Sequence, residues 1–230
     1  MQLELARRKN SSRCTQCNSP FAGKIICGDC GEIFGSKVWH SNSKYRRTIW
    51  RCNAKYESGD PCSTPHLYED DLKRHFITAL SQLLTDRTAL LEDSRVILHD
   101  LLDTAALDTE CDRLLQELDV VAGMIQQMIN ENATRAADQA AYTDRYNSLV
   151  DRYEKLQADY DALQQQKERR QIQAEAIENC VEALEELDLL EITFTDALWN
   201  TVVDHVTVYA DSHLMFHFKN GLDAEVKICK

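Results

Sequence analysis

Ile26-Cys27-Gly28-Asp29-Cys30-Gly31, then Trp50-Arg51-Cys52-Asn53, then Cys62: these stretches set four cysteines in the order C-x2-C-x21-C-x9-C. Two thiolates three residues apart on a tight turn can both reach one tetrahedral ion, at about 2.3 Å per Zn–S bond. Gly28 and Gly31 suit that turn, because it asks for backbone conformations that a Cβ would strain. Gly59, Asp60 and Pro61 supply a second turn ahead of Cys62 that brings the distant pair back toward the first. The spacing predicts a small β-ribbon clamped by Zn2+ on Cys27, Cys30, Cys52 and Cys62.

Other uses of the cysteines compete with this one. Disulfides belong to short, cysteine-dense secreted scaffolds, whereas nine cysteines in 230 residues are sparse and odd in number. Cys14-x2-Cys17 with Cys27 and Cys30 would also make a four-thiolate set, although it lacks the glycine that marks the Cys27 turn. A thiol-redox role for Cys14 and Cys17 lacks the surrounding βαβ pattern such enzymes carry. Cys111, Cys180 and Cys229 fall in helical or strand patterns and read as small apolar residues. The start, Met1-Gln2-Leu3-Glu4-Leu5, reads as helix rather than signal peptide. No apolar run of about 18 residues occurs, so no membrane partner is expected and a reducing cytoplasm is the expected setting.

Charge is divided unevenly. Residues 1–56 hold 11 Lys/Arg against 3 Asp/Glu, a net of +8, in a chain whose formal net charge is −12. Association follows the local field of the docking face, over about 8–10 Å at ordinary salt, so an acidic total does not exclude nucleic acid. The positive field centres on Lys37-Val38-Trp39-His40-Ser41-Asn42-Ser43-Lys44-Tyr45-Arg46-Arg47-Thr48-Ile49-Trp50-Arg51. Val38, Ile49 and Trp50 favour strands and Ser41-Asn42-Ser43 a turn, which predicts a β-hairpin. A two-stranded ribbon fits the major groove, where arginine pairs with guanine edges while Lys, Ser, Asn and Tyr hold phosphates. Lys37, Trp39, His40, Lys44, Tyr45, Arg46, Arg47 and Arg51 are the candidate DNA contacts.

Residues 66–103 read as mainly helical, with Glu69-Asp70-Asp71 at a helix start and Leu67, Leu72, Phe76, Leu80, Leu83 and Leu84 as an apolar face. Leu107, Cys111, Leu114, Leu118, Val121, Ile125 and Met128 then follow alternating steps of four and three, the seam of a coiled coil. The pattern breaks over residues 130–139 and resumes at Tyr142, Tyr146, Leu149, Tyr153, Leu156, Tyr160 and Leu163. Two matched seams with a short connection predict an antiparallel hairpin whose arms are each about 33 Å long at 1.5 Å per residue. Its tip offers Asn132, Arg135, Asp138, Gln139 and Tyr142 as candidate contacts to another protein. Ile177, Val181, Leu184 and Leu187 continue a helix, and Phe194 to Trp199 opens a short one. Val202, Val206, Val208 and Leu214, Phe216, Phe218 alternate as two strands around Asp211-Ser212. Strands that follow a helical insertion return to the sheet they left.

The expected class is therefore α+β: a small zinc β-ribbon domain with a long antiparallel coiled-coil hairpin inserted, and a C-terminal β-hairpin returning to the ribbon domain. The expected boundaries are 1–12 for the end of a preceding domain or linker, 13–104 for the ribbon and following helix, 105–180 for the coil with its tip at 130–141, and 181–230 for the helix and hairpin that complete the ribbon domain.

One family is resembled closely. The stretch from Asn18-Ser19-Pro20-Phe21 through Cys30-Gly31, Gly35-Ser36-Lys37-Val38-Trp39-His40, Trp50-Arg51-Cys52-Asn53 before Cys62, the run Asn130 to Tyr153, and Leu198-Trp199 with Val203-Asp204-His205-Val206-Thr207-Val208-Tyr209 resemble the C-terminal region of the large serine recombinases, the integrases and transposases of bacterial phages and mobile elements. The resemblance implies a zinc ribbon that reads a double-stranded DNA attachment site, with Cys27, Cys30, Cys52 and Cys62 as ligands. It also implies a coil that contacts other recombinase subunits and sets directionality with a directionality factor, in a bacterial, nucleoid-associated protein. Cys14 and Cys17 depart from the family pattern. The family's catalytic serine lies in a domain ahead of this region, and no serine here has the arginine-rich surround that phosphoryl transfer would need. The chain is expected not to cut DNA by itself. The alternative is a zinc-stapled coiled-coil interaction module without sequence-specific DNA binding.

Overall fold

The structure, a computed structural model, describes residues 19–56, 62–134, 139–189 and 191–228. Two sheets form its β part. Strands β1 (Ile25–Cys27), β5 (Val203–Val208), β6 (His213–Phe218) and β7 (Asp223–Lys227) make a four-stranded sheet in the order β1-β5-β6-β7, and β2 (Phe34–Trp39), β3 (Arg47–Cys52) and β4 (Leu67–Tyr68) make a three-stranded one in the order β2-β3-β4. The helices are α1 (Glu69–Leu83), α2 (Arg87–Leu102), α3 (Ala105–Thr134), α4 (Gln139–Glu185) and α5 (Asp196–Val202).

The return of the chain to its first sheet is explicit in the register. Ile25 pairs with Val206 and Cys27 with Val208, in parallel. Val206, Val208, Leu214, Phe216, Phe218, Ala224 and Val226 point to one buried face, as the two-residue period of a half-covered sheet requires. Where two terminal strands were expected there are three, β7 adding Ala224 and Val226 to the same face. Two small apolar residues among Asp223, Glu225 and Lys227 made too faint an alternation to read.

The main core gathers around Trp199. Its ring meets Phe21 at 4.7 Å and Phe76 at 5.2 Å, both edge-on, and its Nε1–H donates to the Pro20 carbonyl at 2.9 Å. Trp50 is buried in the same core, with Nε1–H donating to Glu69 Oε2 at 3.1 Å. Lys24 is buried as well, with Nζ donating to the Val203 carbonyl at 2.8 Å. Helix α1 places Leu72, Phe76, Ala79 and Leu80 inward, with Glu69, Asp70 and Asp71 at its positive N-terminal end. Leu67, read from sequence as part of that helical face, belongs instead to β4, opposite Trp50.

The described residues divide into two compact units, one drawn from residues up to 95 and from 176 onward, the other from residues 96–175. In the second unit α3 and α4 run antiparallel. Asp108 pairs with Lys167, and three residues further along α3 the Cys111 sulfur accepts from Gln164 Nε2 at 3.5 Å, three residues back along α4. Cys111, Leu114, Leu118 and Val121 are buried along α3. Tyr142, Tyr146, Leu149, Tyr153, Leu156, Tyr160 and Leu163 are each half-buried along α4. The fold expected from the two seams is thus the one observed. In the first unit, Cys180 and Leu184 from the last turns of α4 enter the main core. Among the described residues no helix is long and apolar enough to cross a membrane.

Candidate metal centre and nucleic-acid interface

Cys27 ends β1, Cys30 closes the turn after it, Cys52 ends β3, and Cys62 follows on the segment leading to β4. The turn closes through the Gly31 N–H, which donates to the Cys27 carbonyl at 2.8 Å. Gly31 takes φ +72°, the left-handed region that a side chain would strain. Gly28 is needed for a different reason from the one expected, since the Tyr209 ring packs where its Cβ would be. Asp29 ties the two halves together, its Oδ2 accepting from Ser63 N at 3.2 Å and Ser63 Oγ at 2.9 Å. Residues 59–61, expected to form the second turn, lie outside the described residues.

The four sulfurs converge. All lie within 4.8 Å of one another, with Cys30 to Cys52 at 3.5 Å and Cys52 to Cys62 at 3.8 Å. Thiolates on a tetrahedral zinc at about 2.3 Å each would stand about 3.8 Å apart, so the spacing fits an ion of that size and geometry. An all-sulfur donor set without water or carboxylate suits a closed structural site rather than a catalytic one.

Proton affinities in the cluster follow from crowding. Burial raises the Cys27 thiol, but hydrogen bonding with Thr64 Oγ1, at 3.5 Å, and with the backbone of Cys30 and Asp29 outweighs it and leaves its pKa below the ordinary thiol value. Cys52 is driven far up by burial and then by Cys30. Cys62 is pushed up to about 11, first by hydrogen bonding with Cys30 and then by burial. One thiolate raises the cost of the next, and a cation is what lets all four ionise together. The cluster is able to hold a metal ion. Cys14, Cys17 and Cys229 lie outside the described residues, while Cys111 and Cys180 are buried apart from the cluster. Burial pushes the Cys180 thiol up to about 11, which leaves little thiolate near neutral pH.

Strands β2 and β3 carry the basic segment as an antiparallel hairpin, with Phe34 opposite Cys52 and Trp39 opposite Arg47. The turn between them is held by Ser43 N–H donating to the His40 carbonyl at 3.0 Å and Arg46 N–H to Ser43 at 3.1 Å. Lys37, Trp39, His40, Lys44, Tyr45, Arg46 and Arg47 are all exposed, and Arg51 is half-buried. From Phe34 to Cys52 the charges are Lys37, Lys44, Arg46, Arg47 and Arg51, with no Asp or Glu. His66 and Tyr68 were not foreseen at this surface. They stand beside Trp39, with ring centroids 4.7 Å and 6.4 Å from it, and Arg47 lies 4.9 Å over Tyr68. A two-residue strand after a proline gives too little alternation to be read.

Residues 20–81 match the family model of the recombinase zinc beta ribbon domain. That segment holds the whole four-cysteine cluster and the β2-β3-β4 sheet, and over it the recombinase resemblance drawn from the sequence is borne out. The zinc ribbon of recombinases is not their catalytic domain. A solved chain described as a crystal structure of an LSR–DNA complex is similar at 12% identity and a TM-score of 0.36, over 94% of this chain and 61% of that one. This chain therefore spans less than two thirds of that chain's length. No curated protein matches.

Of the residues expected at the coil tip, Arg135 and Asp138 lie outside the described residues. Asn132 is half-buried and Gln139 exposed, and Tyr142 is stacked on Tyr146 at 6.1 Å. The exposed apolar side chains of α3 lie further back along it, at Leu115, Val120, Met124 and Ile129.

Proposed function

We propose that this chain is the DNA-binding and synapsis-regulating C-terminal module of a site-specific serine recombinase. Zn2+ on Cys27, Cys30, Cys52 and Cys62 supplies a rigid cross-link there, and no bond-making chemistry. The chain's own residues do the rest: the clamp holds the ends of β1 and β3 together, which fixes the hairpin as a stiff ribbon. The β2–β3 ribbon reads the attachment site in the duplex, with Lys and Arg on phosphates and guanine edges. The α3–α4 coil governs contacts between recombinase subunits, and through a directionality factor, the direction of recombination. Cutting and rejoining of DNA belong to a catalytic domain distinct from this ribbon.

The observation that carries this reading is the coincidence of three features in one segment. An exposed hairpin with five basic and no acidic residues is fixed to a four-thiolate cluster, inside the stretch that matches the recombinase zinc ribbon. Selection of bound sequences from a randomised duplex library tests it, with enrichment of one motif expected for the zinc-loaded chain. A second reading, a zinc-stapled protein-interaction module, is favoured by the exposed Leu115, Val120, Met124 and Ile129 of α3. Under that reading no motif is enriched.

A further inference from the structure

The hairpin has two faces, and only one is available. Phe34, Trp50 and Cys52 point to the first, where they are buried in the main core. Lys37, Trp39, Arg47, Ile49 and Arg51 alternate onto the other. Ile49 is fully buried yet lies outside the main core, between Lys37 on one neighbouring strand and Tyr68 on the other. This second face therefore carries a small cluster of its own, and its outer layer is aromatic. His66 and Tyr68 stand edge-on at 5.3 Å, His66 is 4.7 Å from Trp39, and Trp39 keeps 38% of its surface exposed. An exposed ring already held by its neighbours loses little freedom when it is covered, which is a property of a binding surface. Among the described residues of the hairpin, the charges on this face are Lys37, Arg47 and Arg51, all positive, which suits a polyanion.

We infer that the Trp39–His66–Tyr68 platform is the part of the ribbon that meets duplex DNA, and that it packs on the C5 methyl of thymine in the major groove while Lys37 and Arg47 hold the flanking phosphates. The inference rests on the DNA reading proposed above. The thymine methyl is the apolar group that the major groove presents, and an aromatic surface rimmed by cations fits it and the adjoining phosphates together. Two of the three rings come from the segment at β4, outside the basic hairpin itself.

The test uses the full zinc-loaded chain and the duplex it enriches from a random library. Each thymine is replaced in turn by deoxyuridine, which keeps every hydrogen-bonding edge and removes only the methyl. At one or two positions the chain should lose about 4-fold in affinity, the value of one buried methyl. Trp39→Ala and His66→Ala should bind less tightly, be insensitive to deoxyuridine at those positions, and keep the salt dependence of the unaltered chain. Trp39→Phe should retain part of the methyl effect, which separates contact from misfolding, and zinc content must be unchanged in each variant. If no position is methyl-sensitive, or if the two alanine variants lose the same 4-fold, the platform assignment is overturned. Should Lys44→Gln and Arg46→Gln still weaken binding in that case, the DNA reading stands without the platform. If the chain enriches no duplex at all, both fall.

Discussion

Tyr209 lies so close to Gly28 that a Cβ at position 28 would stand 2.7 Å from its Cδ1 and 3.0 Å from the Val208 carbonyl oxygen. The Gly28 N–H also donates to that carbonyl at 2.8 Å. The first cysteine turn is thus seated on the end of β5, and the metal site and the C-terminal sheet are built as one body. Gly28→Ala should cost about 1–3 kcal/mol, the usual penalty of overpacking, in urea unfolding of the zinc-loaded chain. Adding Tyr209→Ala should recover part of that loss. Strictly additive losses would mean that the ring and the turn are not in contact.

Cys52 stands between Cys30 and Cys62 in the cluster, so its loss leaves three sulfurs around a broken tetrahedron. Structural zinc contributes on the order of 10 kcal/mol to folding in small domains. Cys52→Ser should abolish stoichiometric zinc and loosen the ribbon while the helical circular dichroism of α3 and α4 persists. Zinc content equal to that of the unaltered chain would remove Cys52 from the ligand set.

Leu114 is 3% exposed in the α3 seam, while Leu115 beside it is 46% exposed. Leu114→Ala should destabilise the helical pair by about 2 kcal/mol, and Leu115→Ala by no more than about 0.5 kcal/mol. Thermal melts at the helical signal distinguish them. Equal effects would contradict the observed seam.

Asp108 has its carboxyl held below the ordinary carboxylate range by hydrogen bonding to Lys167 and then to Thr104. Its folded pKa is depressed, so the stabilisation is complete above the unfolded value near pH 4 and is lost as pH falls through the lowered pKa. Asp108→Asn should flatten the acid limb of the helical melting curve, and high salt should reduce the difference, because both partners are solvated. An unchanged acid limb would show that the pair is not formed in solution.

Much of this architecture was legible because its signals are periodic or fixed in spacing. C-x2-C constrains two sulfurs to one turn, and the steps from Leu107 to Met128 and from Tyr142 to Leu163 leave a helical hairpin as the natural packing. Short elements were illegible. Leu67-Tyr68 is a strand only because Trp50 and Ile49 stand opposite, and β7 only because β6 leaves an open edge. The same limit hid His66 and Tyr68, which reach the basic surface through pairing of β4 with β3 rather than through any local pattern. The need for glycine at 28 was legible but its cause was not, since Tyr209 is far away along the chain.

Exposed Arg46 and Arg47 at the end of the hairpin concentrate the charge on which the DNA reading depends. The most direct measurement is the affinity of the zinc-loaded chain for its selected duplex across a series of salt concentrations, beside the chain carrying Arg46→Gln and Arg47→Gln. A ribbon that reads DNA gives a linear fall of log K with log salt, by about 0.9 per phosphate contact, and a slope shallower by about 2 in the double variant. Equal slopes and affinities for the two chains would contradict a ribbon that reads DNA.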